Sequence, residues 1–99
     1  MESSEFEMIL SIPLSGRIVN KIVQETNKLK SSVYLVKNNR TVNMKTILGI
    51  LSSDCRAGDT VTVICLNNDK SVAEQDRQFV EKLLKSGDFY WILSLNFKK

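Results

Sequence analysis

The sequence predicts an α+β fold, a four-stranded antiparallel sheet with three helices packed on one face. Three observations predict it. Apolar residues recur with period two in some stretches and with helical spacing in others, and the two kinds of stretch interleave along the chain. The pair Asn38-Asn39 joins two short extended runs as a hairpin turn, because asparagine tolerates positive φ. No internal repeat or linker interrupts the 99 residues, which suffice for one domain with a real core.

Each element follows from its residues. Phe6, Met8, Leu10, Ile12 and Leu14 alternate with Glu5, Glu7, Ile9, Ser11 and Pro13, which reads as a strand with one buried face. Pro13 suits the strand's end, since it cannot donate to a ladder. From 17 to 29 the period changes: Ile18, Val19, Ile22, Val23, Thr26 and Leu29 share a helix face, with Ser15 as its N-cap. Residues 33–36 form a second strand and 40–43 a third. Residues 46–51 form a short helix capped by Thr46, followed by the loop SSDCRAGD. Residues 60–66 are β-branched and alternating, a fourth strand in which Val61, Val63 and Cys65 share a face, so Cys65 is a small core residue rather than a reactive thiol. Asn67-Asn68-Asp69 turns the chain. Ser71 and Glu74 stand at capping-box spacing before a third helix, marked by Val72, Phe79, Val80, Leu83 and Leu84, that stops near Gly87.

Composition excludes several functions. The chain has no histidine, which rules out Ser-His and Cys-His catalytic pairs and any imidazole metal site. Cys55 and Cys65 make neither a CxxC motif nor a disulfide framework, so no metal or cofactor is expected and the thiols fit a reducing cytoplasm. The acidic, polar start MESSEFEM does not read as a secretory signal, and no apolar run is long enough to span a bilayer. Net charge is only +3 with the basic residues scattered, and the four strands offer only Phe6 and Tyr34 for stacking on bases. Nucleic acid is therefore not an expected partner.

The segment TVNMKTILGILS, residues 41–52, resembles the HPr phosphocarriers of the bacterial sugar phosphotransferase system. The likeness extends back through IVQETNKLKSSV, forward through TVTVICL, and covers roughly residues 5–85. The turn Arg56-Ala57-Gly58-Asp59 stands where the family has a "KGD"-type turn, and the order β-α-β-β-α-β-α matches the family's open-faced β-sandwich. The resemblance implies a phosphoryl-carrying histidine at the start of the first helix. Here Ser15 falls on that position, Arg17 keeps the family's arginine, and Ile18 replaces its proline. It also implies regulatory phosphorylation at the cap of the second helix, where Thr46 keeps the hydroxyl.

These departures have chemical consequences. Imidazole is nucleophilic near neutral pH and its phosphoramidate is labile, whereas an unactivated serine hydroxyl is a weak nucleophile and its phosphate ester a poor donor. No catalytic residue is therefore expected. Ser15, Gly16 and Arg17 remain a candidate anion site, combining free helix N–H groups with a guanidinium. In the second helix Ile50 is expected in the core, leaving Ile47, Leu48 and Leu51 as an exposed apolar patch for protein partners, as the resemblance implies for partners of the phosphotransferase and catabolite-control type.

Residues 1–88 are thus expected to form the HPr-like domain and residues 89–99 a C-terminal extension. The extension is rich in aromatics and alternates Trp91, Leu93, Leu95 and Phe97. It reads as an added strand or flap over the sheet or core, or as an element of homodimerisation. Three functions stay open at this point: a regulatory, non-enzymatic interaction module switched at Thr46, a phosphotransfer component using a hydroxyl, and an unrelated α+β interaction domain.

Overall fold

The computed structural model describes residues 1–85. Its elements run β1 (Glu2–Ile9), α1 (Gly16–Thr26), β2 (Ser32–Lys37), β3 (Arg40–Asn43), α2 (Ile47–Ser52), β4 (Thr60–Asn67) and α3 (Lys70–Lys85). The strands form one antiparallel sheet in the order β1-β4-β2-β3, with α3 packed over β1 and β4 and α2 beside α1 and β3. The expected order of elements and the antiparallel sheet are both found.

The alternating strand patterns place Val33, Leu35, Val42, Val61, Val63 and Cys65 on one face of the sheet. There they meet Ile18, Val19 and Ile22 of α1, Ile50 of α2, and Val80, Leu83 and Leu84 of α3 in one core. Truncating such a side chain to alanine costs about 2–5 kcal/mol when the site cannot collapse. Burial pushes the Cys65 thiol up to about 11, so it packs as a small hydrophobe. Asn38 and Asn39 both take positive φ, 51° and 66°, the geometry that lets a two-residue loop follow the twist of β2 and β3.

Three element ends and one core position differ from the sequence reading. β1 ends at Ile9, yet the alternation to Leu14 is real, because Leu10 and Leu14 are buried. What changes is the partner: Leu10 N–H donates to Asp59 O (2.8 Å) and Leu14 N–H to Cys55 O (3.0 Å), so the chain pairs with a loop rather than with β4. Helix α1 stops at Thr26 instead of 29. Asn27 ends it, its Nδ2 donating to Val23 O (2.7 Å) and to Lys45 O (2.9 Å). Helix α3 is capped by Asp69 rather than by a box at Ser71, since Asp69 Oδ1 accepts from the Ser71 N–H (2.9 Å) and hydroxyl (2.8 Å). These bonds hold the Asp69 carboxyl below the ordinary aspartate value. Phe79 is 38% exposed and so lies off the core face, where Ala73 and Asp76 take inward positions. Gly87 and the extension 89–99 lie outside the described residues.

Candidate functional site

Two ends of one surface carry the candidate residues. The first is the start of α1. Ser15 has the extended backbone of an N-cap, but its hydroxyl makes no capping bond, which corrects the expectation that it caps the helix by its side chain. Gly16 follows at φ +58, a conformation that side chains rarely adopt, so glycine is the residue the turn into α1 requires. Ser15, Gly16 and Arg17 are all exposed, and the first turn of α1 holds no acidic residue. Its free N–H groups and the Arg17 guanidinium therefore face solvent together.

The second end is the start of α2. Thr46 caps this helix as the sequence implies: its Oγ1 accepts from Gly49 N–H at 3.0 Å and lies 3.4 Å from Asn43 O. Gly49 fits for a reason the sequence did not reveal. A Cβ there would strike the Asn43 carbonyl oxygen and lie 2.6 Å from Thr46 Oγ1. The cap and the tight approach of the 43–46 turn thus depend on each other. Ile50 is fully buried, while Leu48 is 78% exposed and Ile47 and Leu51 about half exposed. The apolar residues of α2 divide as expected between core and surface. Alongside, Arg40, Val42, Asn43, Thr46, Leu48 and Ser52 line a shallow groove of about 700 Å³ between α2 and the edge strand β3.

The two ends are tied to opposite ends of α1. The turn before α2 is bound to the C-terminus of α1: Thr26 Oγ1 donates to Met44 O (3.0 Å), and Lys45 Nζ to Leu29 O (2.9 Å). The loop after α2 is bound to its N-terminus through Leu14 and Cys55. The helices therefore run antiparallel, and the structure does not bring Ser15 and Thr46 together. The 11 residues of α1 separate them by roughly 16 Å at about 1.5 Å per residue. The exposed residues of α2 fill the interval, with Leu51 nearer the Ser15 end.

Sequence reasoning missed the brace beneath this surface. Arg56 N–H donates to Asp59 Oδ2 (2.8 Å), and Asp59 N–H returns to Arg56 O (3.1 Å). Lys37 Nζ bonds Asp59 Oδ2 and also reaches Asp54 O at 2.7 Å. The lysine and the Arg56 N–H hold the Asp59 carboxyl below its ordinary value, and Asp59 raises the Lys37 ammonium above its own. The loop that supports Leu14 and Ser15 is thereby fixed to the end of β2. The three-residue spacing of Arg56 and Asp59 is the one signal of it in the sequence. Among the described residues no group of three or more Cys, Asp or Glu stands ready to hold a metal ion, and no helix is long and apolar enough to cross a membrane.

Comparison with known proteins places this architecture. The family model PTS-HPr, described as the PTS HPr component phosphorylation site, matches residues 3–84. The HPr-like protein Crh of Halalkalibacterium halodurans is 34% identical over 83 residues, covering 83% of this chain and 99% of that one. Among solved structures, the phosphocarrier protein HPr of Bacillus anthracis superposes with a TM-score of 0.73 at 25% identity, over 84% of this chain and 98% of its own. Bacillus subtilis Crh, solved as a dimer with a swapped domain, gives 0.65 at 28% identity over 86% and 94%. With the sheet order, the three helices and the capped α2 already in place, these matches show that the chain belongs to the HPr family of the phosphotransferase system and is Crh-like within it.

Proposed function

We propose that this chain is a regulatory docking module of the phosphotransferase and catabolite-control kind, not an enzyme and not a relay of phosphoryl groups, and that it works in the cytoplasm. The observation that carries the reading is the complete absence of histidine from a member of a phosphocarrier family. The residue at the family's acceptor position is read as Ser15, an exposed hydroxyl at a helix start. No imidazole elsewhere in the chain is available to activate it. The relatives named HPr-like protein Crh, of which the Bacillus subtilis one is described as a catabolite repression protein, support the regulatory side.

In this reading Ile47, Leu48 and Leu51 are the docking surface and Thr46 is its switch. A phosphoryl group on Thr46 Oγ1 meets the free N–H groups of α2, where the helix dipole favours a negative charge by about 0.3–1 kcal/mol at an exposed site. It also sets strong acceptors and a double negative charge beside Leu48, changing which partners fit the groove. Ser15, Gly16 and Arg17 serve as a second contact for an anionic group of the partner, at the far end of the patch.

Intact-mass spectrometry after two parallel incubations tests the reading. One sample contains Enzyme I and phosphoenolpyruvate, the other an HPr kinase and ATP. The expected result is a single added phosphoryl group in the kinase sample alone, mapped to Thr46. Addition with Enzyme I instead means that a hydroxyl carries phosphate and overturns the non-carrier reading. Addition in neither sample removes the switch and leaves an unmodified docking domain.

A further inference from the structure

We propose that the edge strand β3 and the groove beside α2 hold an extended segment of a protein partner, added to the sheet as a fifth strand. Arg40 binds an acidic residue of that segment, and Leu48 packs an apolar residue two positions away from it. The proposal rests on the docking reading above for there being a protein partner, and adds how that partner is held.

Strand β3 lies at one edge of the sheet. Met44 N–H donates to Val33 O at 2.9 Å. In an antiparallel ladder such bonded pairs alternate with pairs whose polar groups point away. Stepping back along the register, Val42 with Leu35 and Arg40 with Lys37 bond across to β2, whereas Thr41 and Asn43 turn their N–H and C=O groups outward. The Asn43 carbonyl is engaged by the turn into α2, where Thr46 Oγ1 lies 3.4 Å from it. The Thr41 N–H and C=O have no partner among the described residues. An edge with free ladder groups accepts a further strand.

The groove is bounded at both ends. Near Asn43 the helix touches the strand, since a Cβ on Gly49 would strike the Asn43 carbonyl oxygen. At the other end Lys37 Nζ bonds Asp54 O, just past α2, at 2.7 Å. Between them Arg40, Thr41, Val42, Leu48 and Ser52 line the groove. A strand laid along Thr41 points alternate side chains toward α2, where they meet the exposed Leu48 and Arg40.

Charge selects the occupant. Arg40 is the one charged side chain lining the groove, and it forms no ion pair among the described residues. The register sets it opposite Lys37, a like charge on the same face, which is unfavourable unless neutralised. The acids nearby are engaged: Asp59 holds Lys37 at 2.8 Å and Asp54 holds Arg56 at 3.3 Å. A carboxylate on the partner strand supplies the missing counter-charge, in the bidentate geometry a guanidinium favours. Leu48, on the same side of that strand, fits an apolar residue two places along. The other edge strand, β1, carries Glu2, Glu5 and Glu7 and repels such a segment.

Fluorescence anisotropy with two labelled peptides tests this: Thr-Val-Thr-Leu-Thr-Asp-Thr and the same residues in reverse order, one for each direction of strand addition. One of them is expected to bind the full chain, and Arg40→Glu is expected to weaken it by about tenfold or more while far-UV circular dichroism is retained. Replacing the peptide's aspartate by lysine is expected to restore binding to the Arg40→Glu variant. Backbone N-methylation of the peptide leaves the protein unaltered, so it reads the ladder even where a variant fails to fold. It is expected to abolish binding on residues whose N–H faces β3 and to spare it on the alternate ones. Phe79→Lys, in the cleft between α1 and α3, is expected to leave the affinity unchanged. The proposal is overturned if neither peptide binds more tightly than about 1 mM. An affinity that Arg40→Glu does not change overturns it too, as does N-methylation that acts alike in both phases. Peptide binding that fades as protein concentration rises also overturns it, in favour of a second copy on the edge. The assay uses no kinase, so a missing Thr46 switch does not alter its outcome, and failure of both peptides leaves the mass-spectrometric test of Thr46 standing.

Discussion

Replacing Thr46 by valine isolates what the cap of α2 contributes. Valine keeps the branched shape and removes the hydroxyl, so Gly49 N–H loses the acceptor now 3.0 Å away. The position is exposed, and water replaces part of the bond. Loss of an N-cap acceptor costs about 0.5–2 kcal/mol, and exposure argues for a value near 1. For a domain of this size about 1 kcal/mol lowers Tm by roughly 4–8 °C. Thr46→Asp keeps an N-cap acceptor and adds a negative charge at the helix start, so its Tm is expected to match or exceed that of the unmodified chain. Thermal unfolding followed by circular dichroism at low ionic strength measures all three proteins. The reasoning fails if the valine variant melts with the parent, or if the aspartate variant melts below the valine one. Either result means that the N-terminus of α2 does not welcome an acceptor and a charge, and a phosphoryl group at Thr46 would then not be stabilised there.

Gly49→Ala is expected to destabilise the domain by about 1–3 kcal/mol through its clash with the Asn43 carbonyl, although alanine is intrinsically the better helix former; a higher Tm would show that the turn yields. Asp76→Ala removes the carboxylate that accepts the buried Ser31 N–H at 2.8 Å and is expected to cost about 1–3 kcal/mol in chemical denaturation. Lys37→Met tests the brace through pH. Asp59 has a lowered pKa, so its contribution is complete above the ordinary value of 3.8 and fades as pH falls through the lower folded value. Lys37 has a raised one, so its contribution is complete below 10.5 and fades as pH rises above it. The stability gap between parent and Lys37→Met is therefore expected to stay level between about pH 5 and 9 and to narrow at both extremes. A gap that does not change in acid removes the ion pair as its cause. Ser15→His places an imidazole at the α1 start and is expected to gain one phosphoryl group from Enzyme I and phosphoenolpyruvate; an unchanged mass would mean that Ser15 does not occupy the acceptor position.

The element order was legible because each strand and helix hides one face, and the periods of two and 3.6 are the direct record of that. Asn38-Asn39 was legible for a stronger reason, since two consecutive positive φ values admit few residue types. What stayed hidden depends on pairing across the chain. Leu10 to Leu14 alternates like a strand and buries like one, but its hydrogen bonds go to Cys55 and Asp59, and nothing local distinguishes a loop partner from a sheet partner. Asp69 and Ser71 are both good caps two residues apart, and only the geometry selects the aspartate. At the candidate site Thr46 and the division of Ile50 from Ile47, Leu48 and Leu51 were readable from spacing. The Lys37–Asp59 link, 22 positions apart, and the contact that makes Gly49 necessary were not.

The two ends of the surface differ in how firmly they are tied to the fold, and that difference decides which positions can change at little cost in stability. Ser15 is exposed, caps nothing with its hydroxyl, and lies next to a glycine whose positive φ sets the turn without it. A change of residue at that position therefore costs little stability, whatever it does to phosphoryl transfer. Thr46 is different: its hydroxyl satisfies Gly49, Gly49 leaves room for the Asn43 carbonyl, and the same turn is bonded to Thr26 and Asn27 of α1. The α2 end cannot drift without disturbing the core, since Met44 and Ile50 on either side of the cap are both fully buried. Roughly 16 Å of α1 lies between the ends. Substitution at residue 15 can thus leave the apolar face of α2 and its capping hydroxyl undisturbed. The fold therefore tolerates change at residue 15 while it holds Thr46, Ile47, Leu48 and Leu51 on a braced turn.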